Sequence, residues 1–148
     1  MKLFTIALML CIRQGISAQI LKIMETTNNT AAVVTVINRY FKGIETGDTV
    51  LLGQTFHSDA LLFGDINGVP YAKTRNEYLS GVANRVSPDK SGQPFEAEIL
   101  SVEVINSIAT AKLHVRMYAF NYYNFLTLHE TEKGKWLIVN KTLTNVID

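Results

Sequence analysis

Residues 134–142 read GKWLIVNKT, and the rest of the chain is organised around this stretch. It leaves a Lys133-Gly134 turn and then alternates. Successive strand side chains point to opposite faces, so Trp136, Ile138 and Asn140 are expected on one face and Leu137, Val139 and Lys141 on the other. Trp136 and Ile138 mark the first set as a core face. Asn140 then aims an amide at that core, where it needs a protein partner or a ligand.

Three further runs with period-two alternation precede this strand, over 96–106, 108–120 and 122–130, and the last strand continues to 146. Asn106-Ser107 marks a turn between two of them. In the second run Ala109, Ala111, Leu113, Val115 and Met117 share one face, which is expected to meet the helices. Lys112, His114, Arg116 and Tyr118 share the other, expected at solvent or at a partner subunit.

The first half of the chain reads as helices. Val33, Ile37, Tyr40 or Phe41, and Ile44 form one apolar stripe from residue 31, with Asn28, Asn29 or Thr30 as the N-cap. Gly47 suits the helix end, and Asp48 can cap a short second helix over 49–56. His57-Ser58-Asp59 reads as a turn, 60–63 as a short strand, 64–68 as a tight turn centred on Asn67-Gly68, and 69–71 as a brief return. A third helix over 74–85 carries a capping box, Thr74 with Glu77. Residues 86–93 form the longest polar loop. Helices first and an antiparallel meander after them give an α+β domain.

At 148 residues the chain has the length of one domain, and 47% hydrophobic residues suffice for a core. A net charge of +1 supplies no basic field for nucleic acid. No apolar window is long enough to span a membrane. The amino terminus has the layout of a secretory signal: Lys2, an apolar run over 3–12, and Ser17-Ala18 before Gln19, giving cleavage after Ala18 and a secreted or periplasmic product. Its alternative is a first helix of the mature domain. The expected organisation is a signal over 1–18, a polar lead-in over 19–30 and the domain over 31–148. Cleavage would remove the only cysteine, Cys11, together with the cations Lys2 and Arg13, taking the formal charge from +1 to −1.

The segments RYFKGIETGD at 39–48, TFHSDALLFG at 55–64 and GKWLIVNKT at 134–142 resemble the nuclear transport factor 2-like superfamily, and within it the lumazine-binding, SnoaL-like branch. The resemblance covers residues 31–146. It implies a cone-shaped fold in which a curved antiparallel sheet wraps N-terminal helices around a conical pocket, commonly as a homodimer; the outer sheet face, which carries Tyr118, Leu137 and Val139, is the expected dimer surface. The scaffold hosts isomerases, cyclases, dehydratases and plain binding proteins, so fold does not choose among them.

The ketosteroid isomerases of this superfamily need a carboxylate base and an oxyanion hole made by a tyrosine and a protonated aspartate. The tyrosine is matched by Tyr40. The base falls on Gly64, one residue from Asp65, and the second hole residue falls near Asn124. An amide can donate a hydrogen bond but cannot relay a proton, so this isomerase chemistry is not expected. No metal-ligand spacing of histidines and no phosphate-binding glycine loop occurs, and no cofactor is expected. His57 and Asp59 are expected to bond local backbone, with His114 and His129 at the surface.

The expected ligand-binding set is Tyr40, Asn124, Asn140, Tyr78, Phe63, Met117 and Trp136, with Phe56, Val82, Leu126, Leu128 and Ile138 as further apolar wall. Three functions fit these residues. The first is an exported, non-catalytic domain binding a small apolar or heteroaromatic ligand in a mostly apolar pocket. The second is a SnoaL-like cyclase, isomerase or dehydratase using Tyr40 with His57 or Asp65. The third is a structural homodimer whose cone is filled by its own side chains.

Overall fold

The computed structural model describes the backbone of residues 2–147 and the side chains of residues 16–147. The side chains of the expected signal up to residue 15 therefore lie outside the described residues.

The chain runs α1 (Lys2–Thr46), α2 (Thr49–Thr55), β1 (Phe56–Ile66), β2 (Val69–Thr74), α3 (Arg75–Ala83), α4 (Pro88–Ser91), β3 (Phe95–Ile105), β4 (Ile108–Met117), β5 (Phe120–Glu132) and β6 (Lys135–Asn145). The strands form one sheet in the order β2-β1-β6-β5-β4-β3. All neighbours are antiparallel except β1 and β6, which run parallel and close the helical half of the chain onto the meander. Helices on one face of a mostly antiparallel sheet make the domain α+β.

The first helix differs from its sequence reading. No cap forms at 28–30, and the helix passes through without a break. Its threonine hydroxyls turn back on the helix instead: Thr26 donates to the Lys22 carbonyl at 3.0 Å, Thr27 to Ile23 at 2.9 Å and Thr30 to Thr26 at 2.9 Å. A hydroxyl satisfied in this way costs the helix little and gives the chain no reason to leave it. Over 16–27 every described side chain is exposed, and burial begins only in the stripe of Val33, Ile37, Tyr40 and Ile44. At the far end Gly47 takes φ 72° and Asp48 caps α2, its Oδ1 accepting from the Leu51 amide at 2.9 Å.

The Asn67-Gly68 turn has positive φ at both residues, 54° and 76°, as a two-residue hairpin requires. The strands on either side are longer than expected and take in residues 57–59 and 72–74. The Thr74–Glu77 capping box forms on α3. Within the expected polar loop lies α4, capped by Ser87 and opened by Pro88, one turn too short to leave a periodic signature. The β4–β5 connection is also tighter than expected. Met117 ends β4, and Tyr118 takes φ 56° in the turn, with its ring 5.9 Å from the Arg85 guanidinium.

The inner sheet face is the expected one on β4: Ala109, Ala111, Leu113, Val115 and Met117 are all buried. On β6 the phase changes. Trp136 and Ile138 point inward, but so do Lys141 and Leu143. Leu128 pairs with Ile138 while its neighbour Thr127 pairs with Asn140, which leaves Val139 as an extra residue. This bulge hands the inner face from even to odd positions. The adjoining part of β1 is irregular too, between Phe56 and Leu61, and there Ala60 and Leu62 go inward.

Candidate functional site

The bulge brings Lys141 into the core. Its side chain is 7% exposed, and Nζ donates to the Tyr40 hydroxyl at 2.8 Å. The ammonium position lies 5.2 Å from the ring centroids of both Tyr40 and Tyr78. A cavity of about 100 Å³ opens beside this group. It is lined by Tyr40 and Ile44 of α1, Tyr78 of α3, Val115 and Met117 of β4, Tyr122 and Asn124 of β5, and Lys141 and Leu143 of β6. Ile66, Tyr71 and Arg85, all half-buried, complete the lining.

The cavity lining holds two cationic side chains, four phenols, one amide and no carboxylate. Burial, with the Arg85 charge nearby, pulls the Lys141 amine down from its ordinary 10.5 to about 7. Burial also raises the phenols: Tyr40 and Tyr78 are held well above the usual tyrosine range and Tyr122 is pushed up to about 12. At neutral pH the phenols are therefore hydrogen-bonding groups, and Lys141 is poised between amine and ammonium. Three polar atoms of this lining are buried without a partner: Oδ1 of Asn124 and Nε and Nη2 of Arg85. Buried polar atoms are rarely left so.

Four residues of the expected ligand-binding set, Tyr40, Tyr78, Met117 and Asn124, line this cavity. Three do not. Asn140 is carried to the outer face by the bulge, where Nδ2 donates to the Leu61 carbonyl at 3.1 Å and Oδ1 accepts from Thr142 at 3.2 Å. Phe63 is 46% exposed, because Ala60 and Leu62 take the inward positions of β1. Trp136 is buried in the core proper and does not reach the cavity. Sequence reasoning missed Lys141, Arg85, Tyr71 and Tyr122. Tyr122 was within reach, since it shares a strand face with Asn124. Lys141 was hidden by the bulge, and Tyr71 and Arg85 carry no periodic signal.

The sequence profile of the family described as "Putative lumazine-binding" matches residues 28–144. The chain belongs to this family. Solved structures agree on the nuclear transport factor 2-like fold. A protein of unknown function from Shewanella baltica is 23% identical, with a TM-score of 0.70 over 80% of this chain and 94% of its own. Another, from Silicibacter pomeroyi, is 21% identical, with a TM-score of 0.72 over 82% of this chain and 98% of its own. A third, from Methylobacillus flagellatus, is 19% identical, with a TM-score of 0.70 over 80% and 92%. No curated protein matches the chain.

In this lumazine-binding-family member the position of the isomerase base is closed to any side chain. Gly64 sits at φ 147° against β6, and a Cβ there would lie 1.7 Å from the Leu143 carbonyl oxygen. Asp65 instead accepts two contacts from the Thr144 hydroxyl, at 3.1 and 3.0 Å, and does not line the cavity. His57 accepts from the Asp59 amide at 3.2 Å, a local contact within β1. Among the described residues no cluster of His, Cys, Asp and Glu could hold a metal ion, and no helix is long and apolar enough to cross a membrane.

Proposed function

We propose that this domain binds a compact anionic ligand in the cone, between Arg85 and Lys141, with the phenols of Tyr40, Tyr71, Tyr78 and Tyr122 around it. The observation that carries this reading is the charge balance of the cavity: two cationic side chains, no carboxylate, and unpartnered buried atoms on Arg85 and Asn124. A buried cation lacking an opposite charge is costly, and an anionic guest supplies that charge. The volume limits the guest. An apolar cavity of about 150 Å³ is enough to take benzene, so about 100 Å³ suits a ligand of a few carbons. A bicyclic heterocycle of the lumazine kind would have to project through the rim at Ile66, Tyr71 and Arg85.

The test is an NMR titration of the protein with small carboxylates and with lumazine, read at Asn124 and Tyr122. Shifts confined to the cavity are expected for a carboxylate. Arg85→Gln should weaken the binding by about ten- to a hundredfold, the value of a hydrogen bond to a charged group. Absence of any shift at millimolar ligand would sink the reading.

Export and dimerisation belong to the same proposal. Among the described side chains the first buried position is Val33, so cleavage after Ala18 would remove none of them from the core. N-terminal sequencing of protein recovered from the export compartment tests that. On the outer sheet face Phe63 and Phe125 both pair with Thr142 across β6 and stay about half exposed, an apolar stripe suited to a second copy of the chain. A monomeric mass in solution would refute that surface.

A further inference from the structure

We infer that Lys141 is a covalent capture site: its amine forms a reversible imine with a small 2-oxo acid whose carboxylate is held by Arg85. This deepens the ligand reading above and rests on it. Three features of the cavity carry it. Lys141 Nζ is the one primary amine of the lining, with no carboxylate beside it to hold it as an ammonium ion. The unpartnered nitrogens of Arg85 are Nε and Nη2, the pair that forms the side-on fork of a guanidinium; both are closed to water in this structure, and a carboxylate accepts from both at once when the half-buried side chain turns them to the cavity. The Tyr40 hydroxyl, 2.8 Å from Nζ, stands where a proton must move.

The step balances without an oxidant or reductant. The Lys141 lone pair attacks the ketone carbon, a C–N bond forms, and the carbonyl oxygen takes a proton from the Tyr40 phenol. Nitrogen gives one proton back to Tyr40; its second proton then passes, through the same phenol, to the hydroxyl, which leaves as water as the C–O bond breaks and the C=N bond forms, so that amine and oxo acid become imine and water. Burial is what keeps this lysine nucleophilic near neutral pH, as in other Schiff-base lysines. The size of the cavity fits a three- or four-carbon oxo acid better than a larger one.

The experiment uses the full chain, pyruvate as probe and cyanoborohydride as trap at about pH 8, where an amine of such low basicity is about three-hundredfold richer in free base than an ordinary lysine. The expected product is one adduct, with the mass of pyruvate less one oxygen atom, mapped to Lys141 in preference to the surface lysines Lys42, Lys73 and Lys133. Arg85→Gln should slow its formation and Lys141→Met should abolish it. Mapping on the unaltered protein decides the question even if a variant fails to fold. No adduct, or adducts spread over the surface lysines, overturns the inference. A parallel NMR titration with propionate, which has the carboxylate but no ketone, separates the two readings. Propionate shifts without a pyruvate adduct leave the anion site and remove the imine, whereas neither signal removes both.

Discussion

Replacing Lys141 by Met leaves a side chain of similar length in place and takes away the one buried ammonium among the described residues. The expected consequence is a change in how stability depends on pH. In the folded protein Lys141 gives up its proton near pH 7, and in the unfolded chain near 10.5. Between these values the unfolded state binds the extra proton, so stability rises with pH across the interval and is lowest below it. The groups packed around Nζ do not oppose this in the lower part of the window. Tyr40 from α1, Tyr78 from α3, Tyr71 from β2 and Tyr122 from β5 all titrate higher, and the other charged side chain of the lining is Arg85. Above about pH 10 the phenols reverse the trend, because the folded state then holds protons that the unfolded state has lost. From pH 7 to about 9.5 the lysine alone is worth about 3 kcal/mol, at roughly 1.4 kcal/mol per pH unit. With a urea slope of about 1.5 kcal/mol/M this moves the unfolding midpoint by about 2 M. Lys141→Met loses that rise. At about pH 6 the variant should be the more stable protein by about 3 kcal/mol, after allowing about 1 kcal/mol for the lost bond to Tyr40, and near pH 9.5 the two should be about equal. Urea titrations at several pH values read both quantities. Parallel pH curves for the two proteins would show that Lys141 is not a buried, low-basicity amine, and would remove the physical support for its role as a nucleophile.

Two further substitutions test the local geometry. Gly64→Ala should cost about 3 kcal/mol or more, because the new methyl would overlap the Leu143 carbonyl oxygen at 1.7 Å and the backbone is held at φ 147°. A melting temperature near that of the parent would mean that β1 and β6 do not approach so closely. Asn140→Leu should cost about 1 kcal/mol through the lost bond to the Leu61 carbonyl and leave ligand binding unchanged, since Asn140 faces away from the cavity. A loss of binding with stability intact would restore Asn140 to the inner face and contradict the bulge.

The difference between Asn140 and Lys141 also explains how far the sequence could be read. Where a strand alternates cleanly, as β4 does from Ala109 to Met117, one choice of face buries every apolar side chain, and that choice was legible. In Ala60-Leu61-Leu62-Phe63 both faces are apolar, so hydrophobicity cannot choose, and the contact with β6 turns Phe63 outward. In β6 the alternation is broken by one residue. The break shows in the burial further along the strand: Ile138 is even, Leu143 is odd, and both are inside. No uninterrupted strand can bury both, so an extra residue between them is required. That residue is Val139, and the shift it causes exchanges a neutral amide for an amine at the cavity wall. A bulge beside a site re-aims a side chain, and here it exchanges the site's chemistry as well. With Asn140 inside, the cone would offer a hydrogen-bonding amide. With Lys141 inside, it offers charge below pH 7 and a free amine above it. The sequence marks the fold through its many redundant apolar positions. The character of the site depends on a single unpaired residue in one strand, and no average over the chain records it.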